Sequence, residues 1–218
     1  MTYELLEAVA PVRASGGVLR NGADVLLTGL FSWLLGPRGP LVFMALVIGG
    51  AVWLIVRDRR GGPVRASTLA AMLGESLVLA LLFGLVVGTA TAQLVGPLRA
   101  LAAGGGLEGS GALARLTLSL GAGLYEELLF RVVIVALLAN GFRLLFGTSR
   151  LWSGVGATVI GALLFSAFHY IGPFGEPLRL ESFVFRALAG LAFSGLYLTR
   201  GFGITAWTHA LYDVAVLL

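Results

Sequence analysis

The 218-residue chain is 58% hydrophobic and 12% charged, with 15 basic residues, 11 acidic residues and a net charge of +4. Ordinary soluble domains are about 45–50% apolar and about 25% charged, so a lipid bilayer is the expected solvent. The basic residues are all arginine, and neither lysine nor cysteine occurs; this excludes Schiff-base catalysis, a phosphate-loop lysine, a thiol nucleophile, disulfides and thiolate zinc sites. Membrane topology alone accounts for so small a positive charge, and no nucleic-acid partner is expected.

Residues 1–39 read as a separate N-terminal segment. Glu4, Glu7, Arg13 and Arg20 precede a short apolar run from Val25 to Leu35, which ends in Gly36-Pro37-Arg38-Gly39-Pro40. The start is not basic and no A-x-A-like site follows the run, so an interfacial helix or short span is expected rather than a cleaved signal peptide. Residues 40–218 read as a single membrane domain of all-α class, a polytopic bundle of about six spans. Crossing a hydrocarbon core takes roughly 20 apolar residues. Such runs lie at about Leu41 to Val56, Leu69 to Val95, Leu113 to Ala139, Trp152 to Ile171, Phe183 to Thr199 and Gly203 to Leu218. Between them come the stretch from Arg57 to Pro63, the Gly104-Gly105-Gly106 loop, Asn140-Gly141, Gly172-Pro173 and Arg200-Gly201, whose charge and turn residues stop helices. Arginine counts put the loop of Arg57, Arg59, Arg60 and Arg65, with Arg143, Arg150 and Arg200, on the cytoplasmic side. The cytoplasmic membrane of a prokaryote is the expected location.

An ionisable group inside a span costs on the order of 2.5–3.5 kcal/mol to insert. The set here is small: Glu75, Glu126, Glu127, Arg131, His169, His209 and Asp213, with Arg186 near a helix end. Glu127 and Arg131 are four apart on one helix face and can pair, while at about 100° per residue Glu126 points away from them. A structural ion pair accounts for Glu127 and Arg131 and leaves Glu126 over. A second carboxylate beside a first suits a general acid or base. The chain's two histidines both lie in apolar spans. His209 and Asp213 are again four apart, so Asp213 can hold one imidazole nitrogen and fix the tautomer; Phe165 and His169 share that spacing. The whole set suits water activation, metal binding or proton transfer. Zinc held by Glu126, His169 and His209 with an open water position is chemically admissible, and a metal-free route stands beside it. Glu75 has two readings, facing the same cavity or pairing with an arginine near a helix end.

Taken in order, Glu126-Glu127-x-x-x-Arg131, Phe165-x-x-x-His169 and His209-x-x-x-Asp213 resemble the pattern of a known family. This is the CAAX protease and bacteriocin-processing group of intramembrane glutamate/metallo-proteases, which includes the type II CAAX prenyl endopeptidases. The resemblance covers about residues 113–218, the expected protease-like core. It implies an intramembrane endopeptidase acting near the membrane-proximal C-terminus of a membrane-associated protein or peptide. In that reading Glu126 and His169 activate the water, Glu127 and Arg131 support the site, and His209 stabilises the oxyanion or binds a metal. Asp213 stands where many members carry asparagine. An ionised aspartate only accepts hydrogen bonds, so its expected role is to orient His209 or bind a metal.

Other intramembrane proteases fit less well. There is no His-Glu-x-x-His sequence and no Gly-x-Gly-Asp partner for Asp213, and Ser166 with His169 at i and i+3 makes a weak dyad. Two other functions would use the same residues, a non-catalytic immunity or scaffold protein and a proton-coupled transporter; the latter calls for inverted repeats that the sequence lacks. One tension accompanies the protease reading. With equal spans, His169 lies at the far end of its helix and His209 about two turns from the near end of a parallel one. A shared site then needs a tilted or shifted span, or different boundaries between Gly172 and Ser182.

Overall fold

The computed structural model describes residues 13–14, 17–18, 20–59, 65–96, 111–171 and 175–217. Glu4, Glu7, Arg60, the Gly104-Gly105-Gly106 loop and Gly172-Pro173 lie outside these residues. The class is all-α: α1 Gly22–Leu35, α2 Gly39–Arg59, α3 Ala66–Val95, α4 Ala112–Phe146, α5 Arg150–Phe168, α6 Leu180–Arg200 and α7 Phe202–Leu217. A two-residue antiparallel ladder, Arg13–Ala14 on Gly17–Val18, precedes them.

Five stretches are long and apolar enough to cross a membrane: Gly22–Arg57, Ala66–Val95, Ala112–Phe146, Arg150–Phe168 and Leu180–Arg200. The sixth expected run forms α7, whose 16 residues extend about 24 Å at 1.5 Å per residue. The first stretch is interrupted by a single tight turn at Gly36–Arg38. There α1 and α2 fold against each other, with the rings of Phe31 and Phe43 5.2 Å apart.

Polarity is arranged for lipid. Trp33, Leu81, Leu85, Leu144 and Leu151 face outward and are exposed, whereas Glu126, Glu127 and Arg131 are buried. An outer surface of this kind is stable only where the surroundings are as apolar as the side chains. Little hydrophobic force then acts between helices in the bilayer, so close van der Waals packing through small residues must hold them. Two glycines show this. A Cβ on Gly123 of α4 would stand 2.3 Å from the Ala206 carbonyl oxygen of α7, and one on Gly190 of α6 would stand 2.9 Å from Cα of Ala162 in α5. Helix α7 packs among α3, α4 and α6. Aromatic rings fill the space between, with Phe83 of α3 stacked on Phe193 of α6 at 4.2 Å and set edge-on to Tyr212 of α7 at 4.8 Å.

Gly123→Val is expected to destabilise the fold by about 1–3 kcal/mol, as overpacking does. Gly88→Ala, where a Cβ meets nothing within 4 Å, serves as the neutral control in thermal unfolding of the detergent-solubilised protein.

Candidate active site

The middle of α4 is not α-helical. Ala122–Glu126 and Leu128–Ile134 are π-helical, flanked by α-helix from Ala112 and from Val135. Such wide turns are rare and are frequently found at functional sites. This one holds the two adjacent glutamates, and each reaches a different set of partners.

Glu127 is fully buried. Its Oε2 lies 3.1 Å from Nε of Arg131, an approach that is close enough for an ion pair but not aligned as a hydrogen bond. Its Oε1 lies 2.7 Å from Nδ1 of His209. A carboxylate only accepts, so the Nδ1–H of His209 donates to it. The Arg131 guanidinium makes further contacts, although its Nη1 is buried without a hydrogen-bond partner among the described residues. Nη2 donates to the Gly190 carbonyl at 3.3 Å, and the plane lies over the rings of Phe165 at 4.6 Å and Phe193 at 5.5 Å. Stacking a weakly hydrated guanidinium between aromatic faces is favourable once water is gone. Through this one cation α4, α5 and α6 meet. Phe193 also stacks on the His209 ring at 4.5 Å, which closes the set on α7.

Glu126 faces the other way. Its Oε1 accepts a hydrogen bond from the Asn21 amide at 2.9 Å, and its Oε2 lies 3.8 Å from Nε2 of His169. His169 caps the C-terminal end of α5. Its ring folds back over the last turn, with Nδ1 2.9 Å from the Phe165 carbonyl oxygen; a carbonyl also only accepts, so Nδ1–H donates and the Nε2 lone pair is turned to Glu126. This resolves the depth mismatch between the histidines. Each pairs with its own glutamate, and the ring of Phe165 bridges them at 5.1 Å from His169 and 6.0 Å from His209.

The remaining candidates are placed as follows. Asp213 lies 3.6 Å from Nε2 of His209, beyond hydrogen-bond range, so the carboxylate that fixes the imidazole is Glu127. Glu75 pairs in bidentate fashion with Arg200 at the end of α6, both contacts at 2.6 Å, and takes no part in the cluster. Ser166 donates to the Phe183 carbonyl at 2.7 Å rather than to His169. Among the described residues, no group of three or more His, Cys, Asp or Glu side chains is placed to hold a metal ion. Glu126 and His169 face each other across 3.8 Å, while His209 is held at Nδ1 by Glu127.

Asn21 was not singled out by sequence. Asparagines at helix starts are common and the glutamate lies 105 positions away, so nothing local signalled it. The helix-start signal was nevertheless present, since Asn21 caps α1 by accepting from the Ala23 N–H at 2.9 Å.

Residues 108–215 match the protein family described as type II CAAX prenyl endopeptidase Rce1-like. No curated protein and no solved structure matches the chain.

Arg131→Met strands Glu127 in the interior beside His209. Breaking a buried pair in this way costs about 3–5 kcal/mol. The double variant Glu127→Gln with Arg131→Met is expected to lose less than the two single losses combined, because the charges are coupled. A double-mutant cycle on thermal unfolding in detergent measures this.

Proposed function

Since residues 108–215 belong to the type II CAAX prenyl endopeptidase family, we propose that this protein is an intramembrane endopeptidase. It hydrolyses a peptide bond near the membrane-proximal C-terminus of a membrane-associated protein or peptide, and the cytoplasmic membrane of a prokaryote is its proposed site of action. The observation that carries the reading is the facing pair of acceptors, Oε2 of Glu126 and Nε2 of His169, 3.8 Å apart.

A water molecule at about 2.8 Å from each acceptor fits this gap with an angle of about 85° at its oxygen. Its two protons then point at the two acceptors and its lone pairs point away from them, toward a bound peptide. The step is ordinary general-base hydrolysis. The water oxygen attacks the scissile carbonyl carbon as one O–H proton passes to Glu126. The carbonyl π pair moves onto oxygen as the oxyanion forms, and collapse of the tetrahedral intermediate expels the amine, which takes the proton back from Glu126. In this reading His209, held at Nδ1 by Glu127, is doubly protonated, and the Nε2–H of the imidazolium donates to the oxyanion. Glu127 and Arg131 hold that edge in place, and Asp213 adds a second carboxylate near it. No step passes through a metal.

Purified protein in proteoliposomes should cleave an internally quenched peptide ending in a farnesylated CAAX-type sequence, or the same peptide carrying a transmembrane anchor in place of the lipid. Mass spectrometry of the products gives the scissile bond. Glu126→Gln and His169→Ala are each expected to lower kcat by about 10²–10⁴, the usual contribution of a general base, with unfolding temperatures near that of the parent. Full activity in a folded Glu126→Gln protein rules the mechanism out. Dialysis against a strong chelator is expected to leave the rate within about twofold. A parallel elemental measurement finding one metal ion per chain, lost together with activity, would falsify the metal-free step.

A further inference from the structure

We infer that Asn21, from outside the family-matched region, is a positioning residue of the active site: its amide ties down one oxygen of Glu126 so that the other is presented to the water and to His169. The inference rests on the general-base reading above.

The amide orientation follows from two of its contacts. Oδ1 accepts from the Ala23 N–H at 2.9 Å, so Nδ2 is the atom turned to Glu126 at 2.9 Å. Flipping the amide would set oxygen against carboxylate oxygen and nitrogen against N–H, losing both bonds. Asn21 and Glu126 are both buried, where a lost hydrogen bond is not replaced by water. The two oxygens of Glu126 are thereby made unequal. Oε1 is held by Asn21, while Oε2, buried and without a hydrogen-bond partner among the described residues, is the one 3.8 Å from His169. A glutamate has three side-chain torsions, and without a fixed oxygen its carboxylate would sample orientations that miss the water.

The placement of Asn21 is itself secured. Arg20 grips Asp24 at 2.7 and 2.8 Å in the first turn of α1, and Thr28 donates to the same aspartate at 3.2 Å. A Cβ on Gly22 would meet the ring of Phe168 at 3.3 Å, so the start of α1 is seated on the residue that precedes His169. The base and its histidine therefore share one N-terminal support. A general base must sit within a few tenths of an ångström of its working geometry, and misplacement of about 1 Å can cost about 10²-fold.

Asn21→Asp separates the two jobs of this residue. Aspartate caps a helix as well as asparagine does, so α1 keeps its start, but it has no N–H to give Glu126. With the farnesylated or anchored peptide in proteoliposomes, kcat is expected to fall about 10–100-fold while KM stays within about twofold. Asn21→Ser, which also caps but is too short to reach Glu126, is expected to give the same split, and covers the case in which Asn21→Asp does not fold. In a Glu126→Gln background, Asn21→Ser is expected to cause no further loss of the residual rate. A folded Asn21→Asp or Asn21→Ser protein with unchanged kcat, alongside an inactive Glu126→Gln, overturns the role of Asn21 and leaves the general-base reading standing. Full activity in Glu126→Gln instead overturns the reading on which it rests. A loss in Asn21→Ser that appears undiminished in the Glu126→Gln background also overturns the inference, because the effect then does not act through Glu126.

Discussion

A carboxylate without solvent exposure, Glu127, stands between a guanidinium at 3.1 Å and an imidazole at 2.7 Å. In a hydrocarbon setting none of the three is stable alone, since a charged side chain costs on the order of 2.5–3.5 kcal/mol to insert and removing one partner leaves the other buried without compensation. The helices that carry them must therefore come together for any of them to be buried. Arg131 extends the requirement to α5 and α6 through Phe165, Phe193 and the Gly190 carbonyl. The close approaches at Gly123 and Gly190 are what the backbone contributes to the same end. The buried charges and the glycine contacts specify one arrangement from opposite directions, electrostatic and steric.

The spans could be read from hydropathy because a helix in lipid must be apolar along its length. The runs expected at Leu69 to Val95 and Phe183 to Thr199 fall within α3 and α6. The i, i+4 pairing of Glu127 with Arg131 was also legible, since it depends on local spacing, which the π-helical turns alter only slightly. The turns themselves were not legible. They arise from how α4 meets its neighbours, and no residue in Tyr125-Glu126-Glu127-Leu128 carries a local preference for i→i+5 bonding. The hydrogen-bond partner of His209 was not legible for a related reason. Asp213 has the right spacing on the same helix, yet a residue on another helix, Glu127, comes nearer. Asn21 illustrates the same limit at 105 positions' remove. Sequence spacing reports contacts within a helix, and contacts between helices depend on a packing that single positions do not encode.

Helix α4 has two faces with different duties. Glu127, Arg131 and Gly123 look toward α5, α6 and α7 and fix the bundle, while Glu126 looks toward α1 and His169 and has one oxygen without a hydrogen-bond partner among the described residues. In the proposed mechanism, adjacent residues of one chemical type are thus divided between holding the protein together and acting on a substrate. The wide turn makes the division possible, because it sends neighbouring side chains to partners on different helices.

The side chains of this cluster also differ in how far solvent reaches them: 24% for His169, 8% for Glu126 and none for Glu127. The gradient runs inward from the end of α5, where His169 sits. In the proposed mechanism, water therefore approaches Glu126 along the His169 edge. Beyond Glu126 lie the buried Glu127–Arg131 ion pair and the rings of Phe165 and Phe193. For the proposed hydrolysis, such a gradient would admit a reactive water from one side of the cluster while the other stays closed to solvent.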